Sequence, residues 1–411
     1  MKMNNKKESM KIVIVGHVDH GKSTLIGRLL YDTESLPEGK IEEIKLICES
    51  LGKRFEVGYI LDSLEEERDQ NVTIDTTQIF FKTNKRDYTI IDAPGHVEFI
   101  KNMITGASQA EAAILIVDAE EGIQEQTRRH AYILKFLGLK QIIVVINKMD
   151  LVNYREERFE GVRDDLVRFL LNIDIKPSIV IPISAREGDN IAKKSNNMQW
   201  YDEKTVLESL DTLKNKISLK DRELRLPIQD YYTFDKRIFV GKIESGRIKK
   251  GDEILILPTK EKTKIRSIEE FLKNPEEAEA GKSIGITTED KVFIDRGYII
   301  VKPEEKQPII DSKIKVNMFW MGRTPIKKGE RINLRCTTQE VMCEIDSINK
   351  IINSSTLEIK EDKGEIKDKE AAEIIIKTEK PIIIENFDNI EEMGRFVLER
   401  EDIVAVGIIL E

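Results

Sequence analysis

Through the first half of the chain, short apolar runs alternate with polar, helix-like stretches. The runs are Lys11-Ile12-Val13-Ile14-Val15, Tyr88-Thr89-Ile90-Ile91, Ala112 to Val117, Gln141 to Ile146 and Ser178 to Ile183. Each has the length of a strand. They are mostly continuous rather than alternating, as in strands covered on both faces. Gln78-Ile79-Phe80-Phe81 adds another strand-like run, and Thr24 to Leu30 begins a helix. Strands alternating with helices predict an α/β domain with a mostly parallel, doubly wound sheet, its ligand at the carboxyl ends of the strands. Val206 to Lys220 reads as a closing helix, which places this domain at residues 1–222.

From Leu226 the texture changes to short β-runs separated by Gly turns: Arg237 to Ile243, then Gly246 to Asp252 as a turn, then Glu253 to Pro258. A second β-rich series follows: Ile314 to Trp320, Arg331 to Arg335, Val341 to Ile348, Ala372 to Lys377, Pro381 to Glu385, Gly394 to Leu398 and Val404 to Leu410. Two small antiparallel β-barrel domains are expected, at 223–309 and 310–411.

The chain has 411 residues and a formal net charge of −9, which gives no bulk attraction for a polyanion but leaves room for a local basic patch. Its three cysteines (Cys48, Cys336, Cys343) are odd in number and lack C-x-x-C spacing. They argue for a reducing compartment, and a cytoplasmic location is expected. The polar start, Met1 to Ser9, has no secretory pattern, and no 18-residue apolar run predicts a membrane span.

The chemistry lies in the loops after the strands. Gly16-His17-Val18-Asp19-His20-Gly21-Lys22-Ser23 fits the phosphate-loop pattern G-x-x-x-x-G-K-[ST] at every position, between a strand and a helix. Backbone N–H groups there can wrap a phosphate at a helix N-terminus, with Lys22 reaching the β- and γ-phosphates and Ser23 ligating Mg²⁺; Thr24 follows in the same turn. His17 and His20 fall inside that loop, which explains them better than a metal pair does. Asp92, ending an apolar strand, would hold Mg²⁺ through water, and Thr73 is a candidate second ligand on a segment ordered by the γ-phosphate. In Asp92-Ala93-Pro94-Gly95-His96, Gly95 can offer its N–H to the γ-phosphate and His96 can position the attacking water.

The fourth loop, Asn147-Lys148-Met149-Asp150, specifies the base. Asp150 can accept from both N1–H and the exocyclic amine of guanine; adenine offers no such donor pair. Lys148 can cover the base with its stem, Asn147 can tie this loop to the phosphate loop, and Ser184-Ala185-Arg186 closes the set, with the Ala185 N–H toward guanine O6. The expected cofactors are GTP and Mg²⁺. Gly281-Lys282-Ser283 lacks the upstream Gly, so a second nucleotide site is not expected.

These motifs resemble the translation-factor-type GTPases, elongation factor Tu and its relatives, over nearly the whole length. His96, Val18 and Val72 match that family's catalytic histidine and its two apolar gate residues, while Asn71 departs from the usual glycine. Four stretches resemble one branch, the large GTPase subunit of bacterial heterodimeric sulfate adenylyltransferase: Gln126 to His130, Glu187 to Ile191 with Ser195 to Tyr201, Ile294 to Gly297, and Val316 to Met321. That resemblance implies a small catalytic subunit as partner, handling ATP and sulfate, with GTP hydrolysis here driving formation of adenylyl sulfate and pyrophosphate. His20 and Ala93 look more like elongation-factor residues, and the alternative is an elongation factor carrying tRNA to the ribosome.

Overall fold

The computed structural model describes residues 8–50, 52, 56–60, 78–92, 110–215, 218–233, 236–270, 274–354, 356, 358–360 and 364–410. Asn71, Val72, Thr73, Ala93, Pro94, Gly95, His96 and the side chain of Asp92 lie outside the described residues. The chain divides into two compact units, 1–215 and 216–411.

The first unit is built on six strands: β1 (Glu8–Gly16), β2 (Gln78–Lys82), β3 (Arg86–Asp92), β4 (Ala112–Asp118), β5 (Ile142–Asn147) and β6 (Ile179–Pro182). Their order is β2-β3-β1-β4-β5-β6. All neighbours run parallel except β2, which lies antiparallel to β3 at one edge. The three central strands read as continuous apolar runs because both their faces are covered: Ile12 to Val15, Ile114 to Val117 and Ile143 to Ile146 are all wholly buried. Helices α1 (Lys22–Asp32), α2 (Lys40–Ser50), α3 (Glu125–Phe136) and α4 (Glu156–Asn172) supply the covering layers. In α4, Phe159, Val162, Leu166, Phe169 and Leu170 fall on one buried face at helical spacing.

The closing helix is shorter than the pattern suggests: α5 spans Val206–Leu210. It starts on a capping box, with Thr205 Oγ1 accepting from Glu208 N and Glu208 Oε2 accepting from Thr205 N. It stops early because other partners take the following backbone. Arg86 Nη1 donates to Leu213 O at 2.8 Å, and Lys214 N donates to Gln141 Oε1 at 2.8 Å.

The second unit holds two closed six-stranded barrels. The first runs from Leu226 to Val301 and surrounds a core that includes Leu226, Phe239, Ile256 and Ile286. The second runs from Ile309 to Ile409, around Trp320, Ile345, Ile374 and Phe396. Closure removes the exposed edges that such short strands would otherwise present. Ala372–Lys377 and Pro381–Glu385, two separate runs in the pattern, belong largely to one strand, Glu370–Ile384; the register of its neighbour shifts between Asp311 and Lys313. Arg225 is buried in this unit and donates through Nε to Glu385 Oε1 at 2.7 Å and through Nη1 to Leu224 O at 2.9 Å. The three cysteines are free and buried, and burial pushes the thiols of Cys336 and Cys343 up to about 12. They are core residues. Gly281 to Ser283 lies at the turn into a barrel strand, far from any strand–loop–helix setting.

Candidate nucleotide-binding site

The site assembles at the carboxyl ends of β1, β4, β5 and β6. β1 ends at Gly16 and α1 starts at Lys22, so the intervening loop is held at both ends by regular structure. Packing explains its two glycines. A Cβ on Gly16 would come within 2.4 Å of Ile116 Cγ2, and one on Gly21, whose φ is +93°, within 2.3 Å of Asn147 Nδ2. Lys22 Nζ donates to Gly16 O at 3.0 Å and to His17 O at 2.9 Å, folding the loop around its ammonium. No side chain caps α1 at Gly21. Its first-turn N–H groups have no intrahelical acceptor, and with the helix dipole they favour an anion at this end. Ser23 is exposed in that turn, where its hydroxyl can meet a cation.

The base side is tied together by its own hydrogen bonds. Asn147, at the end of β5, donates through Nδ2 to His20 O at 2.9 Å and accepts through Oδ1 from Ala185 N at 2.9 Å. One buried amide thus joins the phosphate loop, the β5 loop and the β6 loop. The Ala185 N–H, expected to meet guanine O6, is here committed to Asn147. Ser184 Oγ donates to Asp150 Oδ1 at 2.7 Å and accepts from Glu187 N at 3.2 Å, which orients the carboxylate while leaving Oδ2 for a ligand. Arg186 pairs with Glu56 at 3.0 Å on the rim. These parts line one cleft of about 670 Å³ that includes Asp19, Gly21, Thr24, Lys148, Asp150 and Arg186. That volume suits a nucleotide-sized molecule.

Asp118 and His130 belong to this region, and the motif reading passes over both as site residues. Asp118 ends β4 and pairs with Lys148 at 2.7 Å. Burial acts to raise its carboxyl pKa, but the Lys148 hydrogen bond and the backbone N–H groups of Glu120 and Glu121 outweigh it, and the net direction is down. His130, on α3, is buried near the loop; desolvation, reinforced by Lys22 and His17, pushes its imidazole down to about 3. Burial likewise lowers His20, against the opposing hydrogen bond from Glu121. The signal for Asp118 is an acidic residue ending a central, fully apolar strand at the ligand edge of the sheet.

Phosphate donors at a helix end, a carboxylate facing a cleft and a hydroxyl near the phosphates can together hold a purine nucleotide with a divalent cation. Of the three expected Mg²⁺ ligands, only the Ser23 side chain is described. Among the described residues, no cluster of three His, Cys, Asp or Glu side chains is arranged to hold a metal. A nucleotide's own phosphate oxygens would supply the remaining charge.

Comparison with known proteins defines the class first. The family model for the elongation factor Tu GTP binding domain matches residues 7–218, elongation factor Tu domain 2 matches 237–300, and the GTP-eEF1A C-terminal domain-like family matches 313–410. The chain belongs to the elongation factor Tu family of translation GTPases, whose members bind GTP and normally Mg²⁺. Curated relatives narrow this. The chain is 38% identical to elongation factor 1-alpha of Archaeoglobus fulgidus over 100% of this chain and 99% of that protein. It is 40% identical to elongation factor 1-alpha of Methanopyrus kandleri over 99% and 98%. A solved structure of sup35 complexed with GDP aligns at 24% identity over 100% of this chain and 96% of that one, with a TM-score of 0.45.

These relatives overturn the sulfate adenylyltransferase reading and its small catalytic partner with ATP and sulfate. The stretches behind that reading include much that builds the fold. Thr127 and His130 are buried in α3, Asn190 donates from a buried position to Pro182 O, Ile294 lies in the first barrel's core, and Val316, Met318 and Trp320 in the second's. Core positions constrain packing, so they mark the superfamily more than a branch. Among the described residues, no helix is long and apolar enough to cross a membrane.

Proposed function

We propose that this chain is a GTP-binding and GTP-hydrolysing elongation factor that carries a charged tRNA to the ribosome. The observation that carries the reading is similarity to elongation factor 1-alpha over essentially the full length of both chains. The cleft at the carboxyl edge of the sheet supports its nucleotide half. In this reading the loop from Gly16 to Thr24 binds the phosphates, including His17, Val18, Asp19 and His20. Asn147, Lys148, Asp150, Ser184, Ala185 and Arg186 form the guanine site, Ala185 through its N–H bond to Asn147. Ser23 and Thr73 ligate Mg²⁺, with Asp92 acting through water. Gly95 senses the γ-phosphate and His96 positions water. The chain divides into functional domains at 1–222, 223–309 and 310–411.

The test is protection of the aminoacyl ester. Charged tRNA incubated with the GTP-loaded chain should lose its amino acid more slowly than with the GDP-loaded chain, and the protection should weaken steeply with salt. Equal deacylation in the two states would reject the carrier role. His96→Ala should retain GDP affinity and slow GTP hydrolysis by about a hundredfold or more. Unchanged turnover would remove His96 from the mechanism.

A further inference from the structure

We infer that Asp118 is a positioning residue for the base: its carboxylate pins the head of Lys148, so that the lysine stem forms a fixed wall of the base pocket, and its backbone N–H joins that wall to the phosphate loop. The inference rests on the nucleotide reading above and deepens it.

Three observations converge. First, Lys148 is held at both ends. Its backbone has φ +65°, an unusual conformation for a non-glycine residue that persists only where the surroundings impose it. Its ammonium lies 2.7 Å from Asp118 Oδ2. The methylenes between these fixed points have little freedom, although the side chain as a whole is 28% exposed at the cleft. A free lysine would lose much of its rotamer entropy on covering a base, and one already pinned loses less.

Second, the Asp118 carboxylate has no slack. Oδ1 accepts from Glu120 N at 2.6 Å and from Glu121 N at 3.2 Å, while Oδ2 takes the lysine. The residue sits at the end of β4, paired in register with Asn147 on β5. Ala119 N also donates to Asn147 O at 2.8 Å. The anchor is therefore fixed to the same sheet edge as the loop it steadies.

Third, the anchor reaches the phosphate loop. Asp118 N donates to His20 Nδ1 at 3.3 Å, and His20 Nε2 lies 3.2 Å from Glu121 Oε2. His20 is fully buried, and its carbonyl is the group that Asn147 holds. Base loop and phosphate loop thus meet at one histidine twice, through its carbonyl by Asn147 and through its ring by the Asp118–Glu121 turn.

The test is dissociation of a fluorescently labelled GDP from the full-length chain. Asp118→Asn keeps the shape and an oxygen for the Glu120 and Glu121 amides but removes the charge that holds Lys148. We expect GDP to leave roughly tenfold to a hundredfold faster, the range for loss of a charge-assisted, largely buried contact. Inorganic pyrophosphate, which touches only the phosphate loop, should bind with unchanged affinity. Lys148→Met, which keeps an unbranched stem and breaks the pair from the other end, should also speed GDP release. Adding Asp118→Asn to Lys148→Met should change the rate by less than about twofold, since coupled residues are not additive.

A purely structural Asp118 would weaken GDP and pyrophosphate alike, and its effect would add to that of Lys148→Met; either result overturns the inference. So does unchanged GDP release in Asp118→Asn. A wild-type chain that binds no GDP would instead overturn the nucleotide reading, and this inference with it.

Discussion

The two halves of the nucleotide cleft are built on opposite plans. On the base side, the polar groups are already satisfied by one another. Asn147 bridges two loops, Ser184 holds Asp150, and Asp118 holds Lys148. On the phosphate side, helix α1 begins without a side-chain cap, and Lys22 folds back onto the carbonyls of its own loop. The base side is organised before a ligand arrives, whereas the phosphate side gains its strongest partners from the ligand. Discrimination between bases should therefore depend on the first and the affinity shared by all nucleotides on the second, because a rigid frame with one open carboxylate oxygen, on Asp150, discriminates by leaving that oxygen unpaired with the wrong base.

The sharpest way to break this contrast is Asp150→Asn. Guanine would lose the carboxylate that accepts its two donors, and GDP affinity should fall by about a thousandfold, with xanthosine diphosphate gaining. Competition binding with the two nucleotides measures it, and an unaltered preference for GDP would remove Asp150 from base recognition. Lys22→Ala should act differently. GDP, GTP and xanthosine nucleotides should all weaken by about a hundredfold, with their ratios preserved, because the lysine lies in the phosphate loop, away from the groups that read the base. A changed base ratio in that variant would blur the distinction between the halves.

Ser184→Ala is a smaller probe of the base side. It frees the Asp150 carboxylate from its 2.7 Å bond without removing it, and should cost about tenfold in GDP affinity with little effect on pyrophosphate. The smallest effect concerns protons. His130 is held down to about 3 and His20 is also lowered, both chiefly by burial, against an ordinary value of 6.5. Below pH 6.5 the unfolded chain binds protons that the folded one refuses. Stability of the first unit should fall as pH drops from about 6.5 toward 3, by up to about 1.4 kcal/mol per pH unit for His130, with His20 acting in the same direction. Hydrogen exchange across α3 follows it, and His130→Leu should flatten the slope.

Much of this site is written locally in the sequence. A phosphate loop needs glycines where neighbours approach too closely for a Cβ, and Gly16 and Gly21 are such places. The strand ends that carry Asp92, Asn147 and Ser184 announce themselves by continuous apolar runs. Asp118 is not legible in the same way. Its role comes from β4 lying beside β5, and nothing in the local spacing tells that its oxygen will meet Lys148. The two barrels are expected from short β-runs and Gly turns and are present, but which strands pair to close them is not legible, because closure depends on pairings such as Ile314 with Ile376, distant in sequence. The branch assignment failed for a related reason. The segments that suggested a sulfate adenylyltransferase subunit include buried fold-builders, whereas His20, buried between the two halves of the cleft, pointed toward the elongation factors.

The most direct measurement is a competition titration of the wild-type chain, loaded with labelled GDP, against GTP, xanthosine triphosphate and ATP. The account predicts that GTP displaces the label at stoichiometric or low micromolar concentrations, while ATP and xanthosine triphosphate need roughly a thousandfold more. Displacement by all three at similar concentrations would contradict a preorganised, guanine-selective base side.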